Sequence, residues 1–428
     1  VELEGEVINI LANARVGSNT EGKGNAGVIR IKGSEVNVID GAIQTNSNNH
    51  MEDGVAGSIE IEADRLVVRQ DKGSGFIDGL ISSDTRGHGD GGTMTIKAEV
   101  LELDGGQINT RSGWFSPITS GGGKAGDIGI EVKEVRMSNG AKISSSTWTQ
   151  GDGGEVKISG DALVLSGEIT AINTYSAYGI MGNHEEGKGG TGGKIEIGVK
   201  EVQIVAGAGI SASSRGRGDA GVIKLDSESI WVDGAGRITS SSGSKDRKTP
   251  FGGELVTTGD AGSIEISSKS LAVGNSGVIS VSTRDEGQGG ELAINADSVR
   301  VYKKGKLISN TYRKGNGGNI LIESSKLEVT ESGEIESGSE GDGNAGSIHI
   351  GSGKLEGPTE VIITDEGRVT ASTLGKGKAG GIVVKAGEIR LEAGKIFSDS
   401  KSKGDGGDAG MVELEGEVIN ILANARVG

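Results

Sequence analysis

A pair of small residues, Ala-Gly or Gly-Gly, recurs along this chain at a nearly constant interval. Its second glycine falls at 27, 57, 92, 126, 154, 193, 221, 262, 290, 318, 346, 380 and 410. The commonest step is 28 residues, as from 262 to 290, 318 and 346, and the longer steps are that unit plus an insertion. Two clean units are AGSIEISSKSLAVGNSGVISVSTRDEGQ (261–288) and GGELAINADSVRVYKKGKLISNTYRKGN (289–316). A period of this length marks a chain built of supersecondary units that cannot bury a face alone and must stack.

Each unit carries three short alternating segments. The first holds apolar pairs such as Ile59/Ile61, Val156/Ile158, Ile264/Ile266 and Ile320/Ile322. The second follows nine residues after the marker glycine, as Leu66/Val68, Leu163/Leu165, Leu271/Val273 and Leu327/Val329. The third opens with Ile and continues in small residues, as Ile81-Ser83-Thr85, Ile143-Ser145-Thr147, Ile238-Ser240-Ser242 and Ile279-Val281-Thr283. A period of two predicts strands with one buried face. Glycine, Asp, Asn and Lys between them are turn residues, with glycine supplying positive φ.

Every inward position repeats at the unit length, so a sandwich is excluded in favour of a right-handed parallel β-helix, an all-β solenoid. It has three short strands and about 28 residues per coil. Equivalent side chains then lie on one another, with Ile264, Leu292 and Ile320 in one ladder and Thr283 and Thr311 in another. Lys157, Glu196, Lys224 and Glu265 share one outward slot with alternating sign, as ladder neighbours should.

Composition agrees. Glycine is 80 of 428 residues, well above the usual level of about 7%, while three prolines and no three-residue glycine period exclude collagen. A net charge of −16 is the wrong sign for nucleic acid or an anionic membrane. The absence of cysteine excludes a disulfide scaffold and a thiolate metal site.

A longer repeat lies over the short one. Residues 1–17, VELEGEVINILANARVG, recur letter for letter at 412–428, an offset of 411 residues. The register continues if Gly428 is followed by the sequence from Ser18 onward, and breaks if it is followed by Val1. The expected organisation is one continuous β-solenoid over 1–428, one period of a tandem array, with corner insertions at 70–75, 113–124, 175–192 and 243–260. About thirteen coils per block would give a rise of roughly 62 Å. Neither end carries a polar cap, so the end coils are expected to continue into further copies of the same block.

The unit G-N/D-A/G-G-x-I-x-I-x-A…L-x-V…G-x-I-x-S-x-T-x-G-x-G resembles the repeats of filamentous-haemagglutinin-type exoproteins of two-partner secretion systems. Residues 54–69 (GVAGSIEIEADRLVVR) and 343–350 (GNAGSIHI) carry the resemblance best. It implies export through an outer-membrane partner and an extracellular or bacterial cell-surface location. The function expected is that of a structural block of a secreted β-helical fibre or surface stalk.

The alternative is an adhesin that binds glycan or a receptor through aromatic corner loops. Trp114, Phe115, Tyr175, Tyr178 and Phe251 lie in the long insertions, and Trp148 leaves the same corner. Exposed aromatics suit sugar faces or lateral protein contact. A polysaccharide-active β-helical enzyme is a distant third reading. It would need convergent outward carboxylates, whereas the outward rows are of mixed charge, so no enzyme activity is expected. Arg217-Gly218-Asp219 reads as a turn. No metal or cofactor is expected beyond weak surface calcium at Asp/Gly turns such as 404–408, and the four histidines have no ligand spacing. An outward hydroxyl array on the third strand, such as Ser144/Ser146 and Ser280/Ser282, is broken by Asp84, Arg111, Ile172 and Ile308.

Overall fold

The computed structural model describes residues 1–48, 54–71, 79–113, 122–148, 150–177, 189–216, 218–243, 259–284, 286–351, 360–401 and 406–428. Among these residues every regular element is a β-strand and there is no helix. They form two compact units. The first holds the described parts of 1–202 and 207–221; the second holds 203–206 and the described parts of 222–243 and 259–428.

In the first unit the long strands Val28–Ile39, Ser58–Arg69, Thr93–Asp104, Ile128–Ser138 and Glu155–Ser166 pair in parallel, each with the next in sequence. Ile29, Ile59, Met94, Ile128 and Val156 are successive partners. A second parallel sheet is built of three-residue strands, and its central row runs Ile43, Ile81, Ile108, Ile143, Ile172, Ile210. All six are fully buried. The unit is therefore a β-solenoid whose core is a set of like-on-like columns.

The second unit is built the same way. Ile223, Ile264, Leu292, Ile320, Ile348, Ile382 and Val412 are successive partners on the long side. Ile238, Ile279, Leu307, Ile335, Val369, Ile396 and Val427 follow on the short side. Thr283 bridges Thr311.

The first two segments of most coils run as one hydrogen-bonded strand instead of two. In Ser58–Arg69 the side chains of Ile59, Ile61 and Ala63 point inward, Asp64 and Arg65 both face solvent, and Leu66 and Val68 point inward again. Two consecutive outward residues shift the alternation by one and turn the corner while the parallel ladder continues through it. Elsewhere the segments separate, as in Ile348–Ile350 and Glu360–Thr364.

The marker glycines are fixed by close approach of coils. A Cβ on Gly57, Gly92 or Gly126 would enter the carbonyl of the marker glycine one coil earlier, and the same holds for Gly290, Gly318, Gly346, Gly380 and Gly410. No other residue fits where backbone meets backbone. In the turns before the short strands, glycine supplies positive φ in some coils, at Gly79, Gly105, Gly140, Gly207 and Gly234. In others two ordinary residues are left-handed in succession: Asn275/Ser276, Lys303/Lys304, Glu331/Ser332 and Asp365/Glu366. The next glycine closes an i to i+3 bond, as from Gly305 N–H to the Tyr302 carbonyl at 2.8 Å. Two left-handed central residues define a type I′ turn.

Beside the marker glycines runs a buried hydroxyl column. Ser83 donates to the Gly57 carbonyl at 2.6 Å, Thr110 to Gly126 at 2.9 Å, Ser309 to Gly290 at 2.8 Å and Ser337 to Gly318 at 2.6 Å. These bonds satisfy hydroxyls that would otherwise be costly to bury. Direct hydroxyl contact along the axis also occurs, between Thr45 and Ser83 at 2.9 Å. One position corrects the sequence reading. Ile172 was expected on the outward face, but it stacks between Ile143 and Ile210 with no exposure, and its outward neighbours are Ala171 and Asn173.

Candidate functional site

The outward face of the short strands in the first unit carries a second ladder, made of side chains that accept from backbone. The Asn46 N–H donates to Asn19 Oδ1 at 2.7 Å, the Asp84 N–H to Asn46 Oδ1 at 2.9 Å, and the Arg111 N–H to Asp84 Oδ1 at 2.7 Å. Just beyond each short strand, a side-chain oxygen takes the place of a missing backbone acceptor. This is why Asn, Asp or Ser recurs at this slot, and the second unit repeats it with Gly338 N–H donating to Asn310 Oδ1 at 2.7 Å.

Above this ladder lies a cleft of about 900 Å³. Its floor is Gln44, Asn46, Ser82 and Asp84, and its walls include Arg15, Arg86, Arg111 and Trp148. The Arg111 guanidinium holds Asp84 through Nε at 3.3 Å and Nη2 at 3.1 Å. The carboxylate beside it pushes the Arg111 pKa up, against the opposing effect of burial. Asn46 is 8% exposed, with its Oδ1 also accepting from the Ser82 hydroxyl at 3.1 Å. Its NH2 and the Gln44 carboxamide have no hydrogen-bond partner among the described residues. The cleft can therefore donate hydrogen bonds from preset positions.

Trp148 is held in place along the axis. Its backbone N–H donates to the Ser112 carbonyl at 3.0 Å, and its ring meets Tyr175 edge to face at 5.6 Å and 89°. The Arg215 guanidinium lies 5.4 Å from the centre of the Tyr175 ring. Burial pushes the Tyr175 hydroxyl pKa up. Of the aromatics singled out in the sequence, the structure thus brings together Trp148 and Tyr175. Trp114, Phe115, Tyr178 and Phe251 lie outside the described residues, as does most of each insertion.

Several contributors were not singled out from sequence. Asn19, Gln44 and Asn46 read as turn or solvated residues, and their only signal was recurrence of short polar side chains at one slot. A second cluster, in the second unit, was also missed. There the Tyr302 hydroxyl donates to Asp233 at 3.1 Å, Arg300 covers the Tyr302 ring at 4.5 Å, and Trp231 is 47% exposed. The outward charges form paired ladders, such as Lys224–Glu265 at 2.7 Å and Lys157–Glu196 at 3.9 Å. Among the described residues no group of three or more His, Cys, Asp or Glu could hold a metal, and no helix is long and apolar enough to cross a membrane.

No protein-family model, curated protein or solved structure matches this chain. The β-solenoid is therefore the class of protein defined by the ladders themselves.

Proposed function

We propose that the chain is a repeating block of a β-solenoid fibre or cell-surface stalk, extracellular and joined in tandem to further copies of itself. The observation that carries this reading is the exact recurrence of 1–17 at 412–428 in the same coil positions. Strands Glu2–Glu4 and Val7–Leu11 reappear as Val412–Glu415 and Val418–Leu422. Leu3 pairs with Ile31 on the long side, and its image Leu414 pairs with Val384. A core of stacked columns supports a mechanical role, because each added coil covers the apolar edge of the one before it. Export through a two-partner secretion route follows from the resemblance of the repeat.

The test is to join two blocks so that Gly428 is followed by the sequence from Ser18. Such a chain should be soluble and longer by a constant increment per block in small-angle scattering. A chain in which Gly428 is followed by Val1 should aggregate or lose stability. Equal behaviour of the two would remove the tandem reading.

A second reading is favoured by the cleft beside Trp148. It makes the block adhesive as well as structural, with attachment at this polar corner of the first unit.

A further inference from the structure

We infer that residues 412–428 of one chain replace residues 1–17 on a second copy, joining copies head to tail by exchange of a coil. The inference stands on the same recurrence as the tandem reading but concerns separate chains. The two segments are identical, so the structure shows one sequence in two surroundings. In 1–17 the long-side strands lie against Val28–Ile39, with Ile10 paired to Val38 and only 4% exposed. In 412–428 they lie against the preceding coil, with Ile421 paired to Leu391 and 52% exposed. Ile419 and Leu422 are also bare, at 41% and 43%. What the later occurrence lacks is the cover that Val28–Ile39 gives the earlier one.

Charge decides how a second copy fits. Laid slot for slot on an intact 1–17, the segment 412–428 would set Glu413 against Glu2, Glu415 against Glu4 and Arg426 against Arg15. Like charges directly opposite in a ladder repel. When 412–428 takes the place of 1–17 instead, each residue inherits the partner of its image. Glu413 then meets Arg30 and Glu415 meets Lys32, as Glu2 and Glu4 do. Glu415, already 2.8 Å from Lys385, comes to lie between two lysines. Asn420 meets Asn37, whose amide donates to Asn9 Oδ1 at 3.0 Å. Each contact that 1–17 gives up on this edge is remade by an identical residue, so contacts balance. Entropy does not balance: the incoming segment is already ordered on its own chain, while the displaced one regains its freedom. The tether opposes exchange by holding 1–17 near its site at an effective concentration in the millimolar range. Exchange therefore depends on protein concentration. Because the donor and acceptor surfaces differ, a joined pair keeps one of each and adds further copies.

The test is light scattering of the full chain after incubation at roughly 10 µM to 1 mM, a range that reaches the effective concentration of the tether. Mass should rise with concentration in multiples of 43.4 kDa. Ile421→Lys, at a position already half exposed, should leave the monomer and its circular dichroism unchanged and cut the multimer fraction at least tenfold. Ile10→Lys loosens the chain's own cover from Val28–Ile39 and should raise that fraction, whereas the double variant should again be monomeric. In the multimer the displaced 1–17 is a free tail. Trypsin should therefore cut after Arg15 at least tenfold faster than in the monomer, read by mass as released 1–15. A monomer at every concentration, multimers that survive Ile421→Lys, or multimers in which Arg15 is protected would each overturn the exchange. The joined two-block chains test the tandem reading by themselves. Failure of exchange between single chains thus leaves that reading standing, and equal behaviour of the two joinings removes it while exchange is still measured.

Discussion

At the scale of single residues, the same amino acid carries opposite demands at different places. Gly318 faces the Gly290 carbonyl so closely that a methyl group there must displace backbone, whereas a Cβ on Gly198 meets nothing within 4 Å. Gly318→Ala should therefore cost roughly 2–4 kcal/mol of stability, in the range of overpacked or strained sites. Gly198→Ala should be neutral or slightly stabilising, within about 0.5 kcal/mol. Denaturant unfolding of the two variants measures the contrast. Glu336 gives a second residue-scale prediction. Burial first, then the neighbouring Glu334, raises its carboxyl pKa above the usual 4.5, although a hydrogen bond from Asn310 works the other way. The folded chain then holds this proton more tightly than the unfolded one does. Stability should fall as pH rises from about 4.5 through the raised folded value, and level off above it. Glu336→Gln should flatten that part of the pH–stability curve and raise stability at neutral pH; an unchanged curve would show that the site is better solvated than the structure implies.

At the scale of strands and coils, apolar columns outweigh charged ones. Leu292 lies fully buried between Ile264 and Ile320, and its truncation to alanine should cost about 2–5 kcal/mol through lost burial and a cavity. Lys224 and Glu265 pair at 2.7 Å but are 45% and 50% exposed, so solvent screens them. Lys224→Glu should cost less than about 1 kcal/mol, and salt should reduce even that. Unfolding in low and in high salt separates the two cases. The strand positions themselves were legible, because Ile264/Ile266 and Leu271/Val273 keep strict alternation and recur at the coil length. The merging of the first two segments was not legible. The residues at the joint, such as Asp64 and Arg65, look like any polar turn, and only hydrogen bonding shows that the ladder passes through them. The cleft was half legible: aromatic residues stand out in a chain with so few, while the Asn ladder is hidden among ordinary polar residues. Ile172 was misplaced because the turn before its strand, 166–170, is one residue longer than its counterpart in the preceding coil, so the slot was counted one residue off.

At the scale of each unit, contacts run almost wholly between consecutive coils. Disturbance should then spread along the stack by neighbours rather than all at once. In Leu292→Ala, amide exchange should quicken most in 263–329 and progressively less toward 412–422 in the second unit. Uniform loss of protection throughout that unit would contradict nearest-neighbour coupling.

The marker-glycine column also makes length a free variable. Because Gly262, Gly290 and Gly318 occupy interchangeable places, cutting out residues 289–316 brings Ile264 beneath Ile320 with every slot still matched. A chain organised this way can grow or shrink by whole turns, by copying or losing a stretch of gene, without solving a new packing problem. Single residues can be gained or lost only in the turns, as at 166–170, where one extra residue leaves Ile172 stacked on Ile143.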